Sequence, residues 1–162
     1  MEVFEKEVFR NPLKKTYELI NDFDLTIDQQ KVIDEVNSSN DQIYLLEGIT
    51  GSGKTEIYIR LAKQEISKGN TVLILVPEIS LSPLMIQRFK ERFNDEVAIL
   101  HSKLSNGEQY DEYRRIKDKK VKIVIGARSA IFAPLENIGL IVMDEEHSDS
   151  YKQDNTPCFL TT

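Results

Sequence analysis

The chain has 162 residues, 40% hydrophobic and 30% charged, with a net charge of −6, a composition that fits one folded domain and excludes a disordered chain. The acidic balance excludes a broad nucleic-acid-binding face of clustered Lys and Arg. The longest apolar runs, TVLILV and IGLIVM, stop after about six residues where about 20 are needed to cross a bilayer; with no charged-then-apolar leader, the expectation is a cytoplasmic protein with no membrane partner.

In chain order, residues 1–24 mix charges and aromatics without a periodic face and read as a connector ahead of a domain spanning 25–162. Thr26 and Gln29 have capping-box spacing for a helix carrying Val32, Ile33 and Val36. Five short apolar runs follow: QIYLLE (42–47), TVLILV (71–76), EVAIL (96–100), KIVIG (122–126) and GLIVMD (139–144). Each reads as a strand buried on both faces. Between them, Ile57, Leu61 and Ala62 share a helix face that ends at Gly69 and Asn70. Ser82 and Pro83 pair as cap and first turn ahead of Met85, Ile86, Phe89 and Phe93, and Ser105 with Glu108 forms a second capping box ahead of Tyr110 and Tyr113. The link 126–138 is less regular. The basic run RRIKDKKVK (114–122) lies along a helix and its following turn and reads as a solvated face. Strands alternating with helices imply a three-layer α/β/α fold with a mainly parallel sheet, whose ligands sit beyond the carboxyl ends of the strands. Cys158, the single cysteine, excludes an internal disulfide and a cysteine-based zinc site in this chain.

LLEGITGSGKT (45–55) carries the chemistry. Gly48, Gly53, Lys54 and Thr55 satisfy G-x-x-x-x-G-K-[ST] between an expected strand and an expected helix. In such a loop the backbone N–H groups of Gly48, Thr50, Gly51, Ser52, Gly53, Lys54 and Thr55 turn around phosphate oxygens. The helix N-terminus adds positive potential, and the Lys54 ammonium reaches the terminal phosphates. The Thr55 hydroxyl would ligate Mg2+. IVMDEEH (141–147) supplies the remaining acids: Asp144 at a strand end orients the metal, and Glu145 accepts a proton from the attacking water.

Asp-Glu-x-His is the mark of superfamily 2 helicases. LVPEISLSP (75–83), LHSKLS (100–105), IVIGARSAIFAPL (123–135) and DEEHSDSYKQD (144–154) resemble successive motifs of the primosomal replication-restart DNA helicase family, over about Glu7 to Asp154. That resemblance implies the first RecA-like lobe of an ATP-driven, Mg2+-dependent motor on single-stranded or forked DNA. Other primosome proteins and a single-stranded-DNA-binding protein are its implied partners. It further implies that Gln29, in LTIDQ (25–29), reads the adenine edge, a role that coexists with its capping role. Pro77, Glu78, Ser80, His101, Ser102, Gly126, Arg128 and Ser129 would stand along the DNA backbone, with loop solvation or local capping as the competing reading of each. His147 would couple the nucleotide site to the DNA face; otherwise it is a satisfied hydrogen-bonding residue.

Two positions depart from the family pattern: Ala127 stands where Thr is usual, and Lys103 where a small residue is usual. The family's second lobe, which supplies an arginine to the transferring phosphoryl group, is expected to be missing, so the chain reads as half a motor, nearly inactive alone. Rival readings are a small P-loop kinase or other NTPase, and a non-catalytic binding module that keeps only the fold.

Overall fold

The computed structural model describes residues 17–39, 42–49, 51–77, 81 and 83–144. Helix α1 (Ile27–Ser38) opens the domain, followed by α2 (Lys54–Ser67), β1 (Thr71–Leu75), α3 (Pro83–Phe93), β2 (Val97–Leu100), α4 (Asn106–Lys117), β3 (Ile123–Gly126) and β4 (Ile138–Met143), with 3-10 turns at Asn94–Glu96 and Arg128–Phe132. The four strands are all parallel, in the order β2-β3-β1-β4. Leu73 of β1 lies opposite Val124 on one side and Ile141 on the other.

The period-2 alternation of the strands divides the core between the two faces of the sheet. Val72, Ile74 and Val76 pack with Tyr58, Ile59 and Ala62 of α2 and with Met85, Ile86, Phe89 and Phe93 of α3. Leu73 and Leu75 pack on the opposite face with Ala98, Leu100, Val124, Ala130 and Ile116 of α4. The result is the expected α/β/α layering. Local signals place the helix starts. At α1 the Gln29 N–H donates to Thr26 Oγ1 at 3.2 Å and the Thr26 N–H donates to Gln29 Oε1 at 2.9 Å. Ser105 and Glu108 make the same reciprocal pair at α4. Ser82, the expected cap of α3, lies outside the described residues.

The two edges of the sheet differ. Along β2, the Ile99 N–H donates to Glu112 Oε2 at 3.2 Å and the Lys90 ammonium donates to the Val97 carbonyl at 2.8 Å, so side chains occupy the outward backbone groups of that strand. Burial, with the neighbouring charge of Arg115, holds the Lys90 ammonium below the usual lysine range. Along β4, Ile138, Ile141 and Met143 are partly exposed, which corrects the expectation of a strand buried on both faces. A second correction concerns residues 42–47. They form no strand, and Ile43 is 91% and Leu45 71% exposed. A strand exists only through a partner's ladder, and among the described residues β4 pairs only with β1, so the apolar pattern alone is not enough. Leu46 still packs against the α2/α3 side of the core.

Most charges of the basic run lie on the surface, with Lys119 Nζ 2.9 Å from Glu136 Oε2 and Lys120 Nζ 3.5 Å from Asp118 Oδ2, but Arg115 is largely buried, its Nη1 donating to Glu112 Oε1 at 2.8 Å. Residues just ahead of α1 are tied down by charge. Asp22 accepts a hydrogen bond from Lys63 and lies 3.3 Å from both Arg60 and Arg92. Burial alone would raise the Asp22 carboxyl, but the hydrogen bond from Lys63 and the charges of Lys63, Arg60 and Arg92 together hold it below its ordinary value of 3.8.

Phe89 is fully buried among α2, α3 and the sheet. Phe89→Ala is expected to cost about 3–5 kcal/mol in a urea melt, whereas Ile43→Ser is expected within about 0.5 kcal/mol. The folded carboxyl of Asp22 binds its proton less readily than the unfolded one, so its contribution is present above the unfolded pKa and fades as pH falls through the folded value. Asp22→Asn should therefore lose less of its urea midpoint than the wild type between about pH 5 and about pH 3.

Candidate nucleotide site

A parallel sheet puts the carboxyl end of every strand on one rim, and the sequence-predicted residues that are described collect there. Pro77 follows β1, His101 and Ser102 follow β2, Gly126 to Ser129 close β3, and Asp144 follows β4, its N–H donating to the Leu75 carbonyl at 2.9 Å. The glycine loop leads to the same rim through α2. Gly51 and Gly53 have φ of +84° and +86°, the left-handed region open to glycine. Gly53 is the N-cap of α2 and makes no side-chain capping bond, so the positive end of the helix dipole faces the loop. A Cβ on Gly48 would stand 2.8 Å from Ser52 Oγ, a side-chain end that can rotate away. Thr50 lies outside the described residues.

Lys54 donates to the carbonyl of Gly48 and, at 3.4 Å, to that of Ile49. The ammonium thus lies across the mouth of its own loop, against the oxygens that a peptide turning its N–H groups one way must point the other way. Gln29 connects α1 to this loop, because its Nε2 donates to the Gly53 carbonyl at 3.3 Å while its Oε1 remains in the capping box. Both ends of one amide are used, and the packing is tight enough that a Cβ on Gly53 would fall 2.3 Å from Gln29 Nε2.

Sequence reasoning missed Tyr58. One turn beyond Lys54 on α2, its hydroxyl donates to Asp144 Oδ1 at 3.1 Å and brings the helix that carries Lys54 and Thr55 to the acid after β4. The signal was a tyrosine one helical turn after the lysine; its partner lies 86 residues away. Glu145 and His147 lie outside the described residues. The donor set that the described residues offer a metal, the Asp144 carboxylate and the Thr55 hydroxyl, consists of hard oxygens and suits Mg2+. A cavity of about 630 Å³ opens beside this end of α1, lined by Phe23, Leu25, Thr26, Gln30 and Arg60 among others.

The expected DNA-facing positions divide. Ser102, Arg128 and Ser129 are exposed. Pro77 and Gly126 are buried, and a Cβ on Gly126 would stand 2.4 Å from the Leu100 carbonyl and 2.6 Å from Ala130 Cβ, so packing between β2 and the following 3-10 turn is reason enough for that glycine. His101 accepts from the Lys103 N–H through Nδ1 at 3.1 Å. Ala127 is buried, with its N–H on the Leu100 carbonyl at 3.2 Å. Glu78 and Ser80 lie outside the described residues.

Gly53→Ala combines left-handed backbone with a clash against Gln29, while Gly51→Ala meets open space. Strain alone is worth about 1–3 kcal/mol. Both variants should lower the urea midpoint, Gly53→Ala by the larger amount because it also displaces the Gln29 amide from the Gly53 carbonyl; equal losses would show that this bond contributes nothing to stability.

Residues 26–156 match the family model described as DEAD/DEAH box helicase. Replication restart protein PriA of Bacillus subtilis (strain 168) is 48% identical over 157 residues, covering 94% of this chain and 20% of that protein. Replication restart protein PriA of Synechocystis is 54% identical over 109 residues, covering 67% of this chain and 13% of that one. The chain thus spans a fifth or less of the length of these two relatives. In three dimensions the UvsW helicase from bacteriophage T4 is similar at a TM-score of 0.59 and 16% identity, over 82% of this chain and 46% of that one, a likeness of fold. A glycine loop at the N-terminus of α2, an acid held to that helix across the sheet rim, and a family match over most of the chain agree: this chain belongs to the DEAD/DEAH box helicase family.

Proposed function

We propose that this chain is the ATP-binding first RecA-like lobe of an ATP-dependent DNA helicase that acts in replication restart. Residues 25–162 form the lobe and residues 1–24 a connector. The observation that supports this most directly is the hydrogen bond from Tyr58 to Asp144, which sets the phosphate-binding loop and the metal-orienting acid on one rim in a chain 48% identical to a replication restart protein.

The loop from Gly48 to Thr55 binds the triphosphate through its N–H groups. Lys54 leaves the carbonyls of Gly48 and Ile49 for the terminal phosphates, where a charge-assisted contact is stronger than one to a neutral carbonyl. Thr55 and Asp144 hold Mg2+, which when bound neutralises charge on the β- and γ-phosphates. Tyr58 keeps the Asp144 carboxylate aimed at that position. Glu145 takes the proton of the attacking water, and His147 links the nucleotide site to the DNA side. Gln29, whose Oε1 and Nε2 are each engaged once, by the Thr26 N–H and the Gly53 carbonyl, offers its remaining lone pair and remaining hydrogen to the adenine edge. Pro77, Glu78, Ser80, His101, Ser102, Gly126, Arg128 and Ser129 lie along the path of a single-stranded DNA backbone, with Gly126 and Pro77 shaping the path through their backbone. A second lobe of the longer protein completes the motor and supplies an arginine to the transferring phosphoryl group. Primosome proteins and a single-stranded-DNA-binding protein are the partners this role requires. No described helix is long and apolar enough to cross a membrane, and a DNA motor of this kind works in the cytoplasm.

Lys54→Ala should abolish binding of fluorescent ATP to the chain while lowering its stability by no more than about 1 kcal/mol, since its bonds to the loop carbonyls are exposed; unchanged binding would remove the lysine from the site. In the longer protein, Glu145→Gln should retain ATP binding and reduce DNA-stimulated hydrolysis by about 10²- to 10⁴-fold. Without the second lobe's arginine, turnover by this chain alone should fall about 10³-fold or more below that of the longer protein.

A further inference from the structure

The charged cluster around Asp22 has no part in the phosphate chemistry, yet it is built more tightly than a surface ion pair. Asp22 Oδ1 accepts from Lys63 and lies 3.3 Å from Arg92 Nε, while Oδ2 lies 3.3 Å from Arg60 Nη1. Glu56 is the second anion, 3.3 Å from Arg60 and 3.8 Å from Arg92. The Arg92 side chain is only 2% exposed, and its Nε and Nη1 make no hydrogen bond. Its charge is balanced by the two carboxylates and by the Phe23 ring, whose centroid is 4.6 Å from the guanidinium carbon. Three cations from α2 and α3 therefore converge on one carboxylate of the segment before α1. Arg60 also donates to the Phe23 carbonyl, and the Ile20 N–H donates to the Glu91 carbonyl at 3.0 Å, so backbone and side chains fix the same stretch.

That stretch is short. Three residues separate Asp22 from Thr26, and of these Phe23 and Leu25 form a wall of the 630 Å³ cavity whose other wall includes Arg60. Thr26 starts the capping box that holds Gln29, and Gln29 reaches Gly53. The loop from Gly48 to Thr55 has its own supports, its glycines and Lys54, and touches Asp22 through none of the contacts above.

We propose that Asp22 is a positioning residue for the base-binding end of the nucleotide site. Through Arg60, Lys63 and Arg92 it seats Phe23, Leu25 and Thr26 so that the cavity they line with Ile27 and Gln30, at the N-terminal end of α1, accepts the base of a nucleoside triphosphate. The phosphate cradle is left to the glycine loop. This rests on the nucleotide-binding reading above. A purely structural role would weaken the whole site evenly, whereas a positioning role divides base from phosphate.

The test measures binding of ATP and of inorganic tripolyphosphate to the full chain, by calorimetry, for the wild type, Asp22→Asn, Asp22→Glu and Lys63→Met, with thermal melts to establish the folded fraction. Lys63 lies outside the cavity wall, is partly exposed and holds Asp22 from behind, so Lys63→Met tests the same link should Asp22→Asn not fold. Asp22→Asn is expected to weaken ATP about tenfold, Lys63→Met about threefold, and both to leave tripolyphosphate within about twofold. Asp22→Glu, which keeps the charge, should recover most of the ATP affinity. Equal loss of both ligands, or no loss of either, in a folded variant overturns the positioning role alone. A wild-type chain that binds neither ligand overturns the nucleotide-binding reading and this inference with it.

Discussion

The site depends on the shape of the loop from Gly48 to Thr55, where the Lys54 ammonium lies against the carbonyls of Gly48 and Ile49. A short turn that directs its N–H groups inward toward an anion gathers positive potential on that side and leaves its carbonyls to be met elsewhere. In this structure the lysine meets two of them, those of Gly48 and Ile49, and the Ile49 carbonyl also accepts from the Ser52 N–H at 3.1 Å. The length of the lysine and its position in the first turn of α2 bring it to those carbonyls. The αL conformation of Gly53 and its bond from Gln29 hold the loop in this shape.

The sheet supplies the rest. Because all four strands are parallel, everything that follows a strand faces the same way, and Tyr58 ties that rim to α2. The edges of the sheet are treated unequally. Glu112 and Lys90 occupy the backbone groups of β2, buried charges that guard against unwanted pairing, while β4 presents partly exposed Ile138, Ile141 and Met143. Charge is also what fastens residues 20–26 to the body of the domain, through a nearly buried Arg92 that depends on Asp22, Glu56 and Phe23 together.

How much of this was legible follows from the range of each interaction. Both capping boxes, the glycine at the end of α2 and the phosphate loop are decided within a few residues, and their spacing stands in the sequence. The α/β layering follows from apolar runs alternating with amphipathic ones. Residues 42–47 show the limit: the pattern of a strand was there, but a strand depends on a neighbour, and a pattern carries no record of whether one is present. Tyr58 and Asp144 are 86 residues apart, and nothing in either neighbourhood names the other. The sequence shows Gly126 only as part of a motif; the close approach of the Leu100 carbonyl and Ala130, a packing reason for the glycine, comes from the folded geometry and not from the motif. Arg92 was hidden for the opposite reason, since an arginine is usually solvated and its burial becomes visible only when its two anionic neighbours are seen.

The most direct test of the central claim is a crystal structure of this chain with Mg2+ and a non-hydrolysable ATP analogue. The triphosphate should lie inside the loop from Gly48 to Thr55, the Lys54 ammonium should have left the Gly48 carbonyl for the terminal phosphates, and the metal should sit between Thr55 and Asp144. A nucleotide bound elsewhere while Lys54 stays on its own loop, or a metal held away from Asp144, would contradict the account.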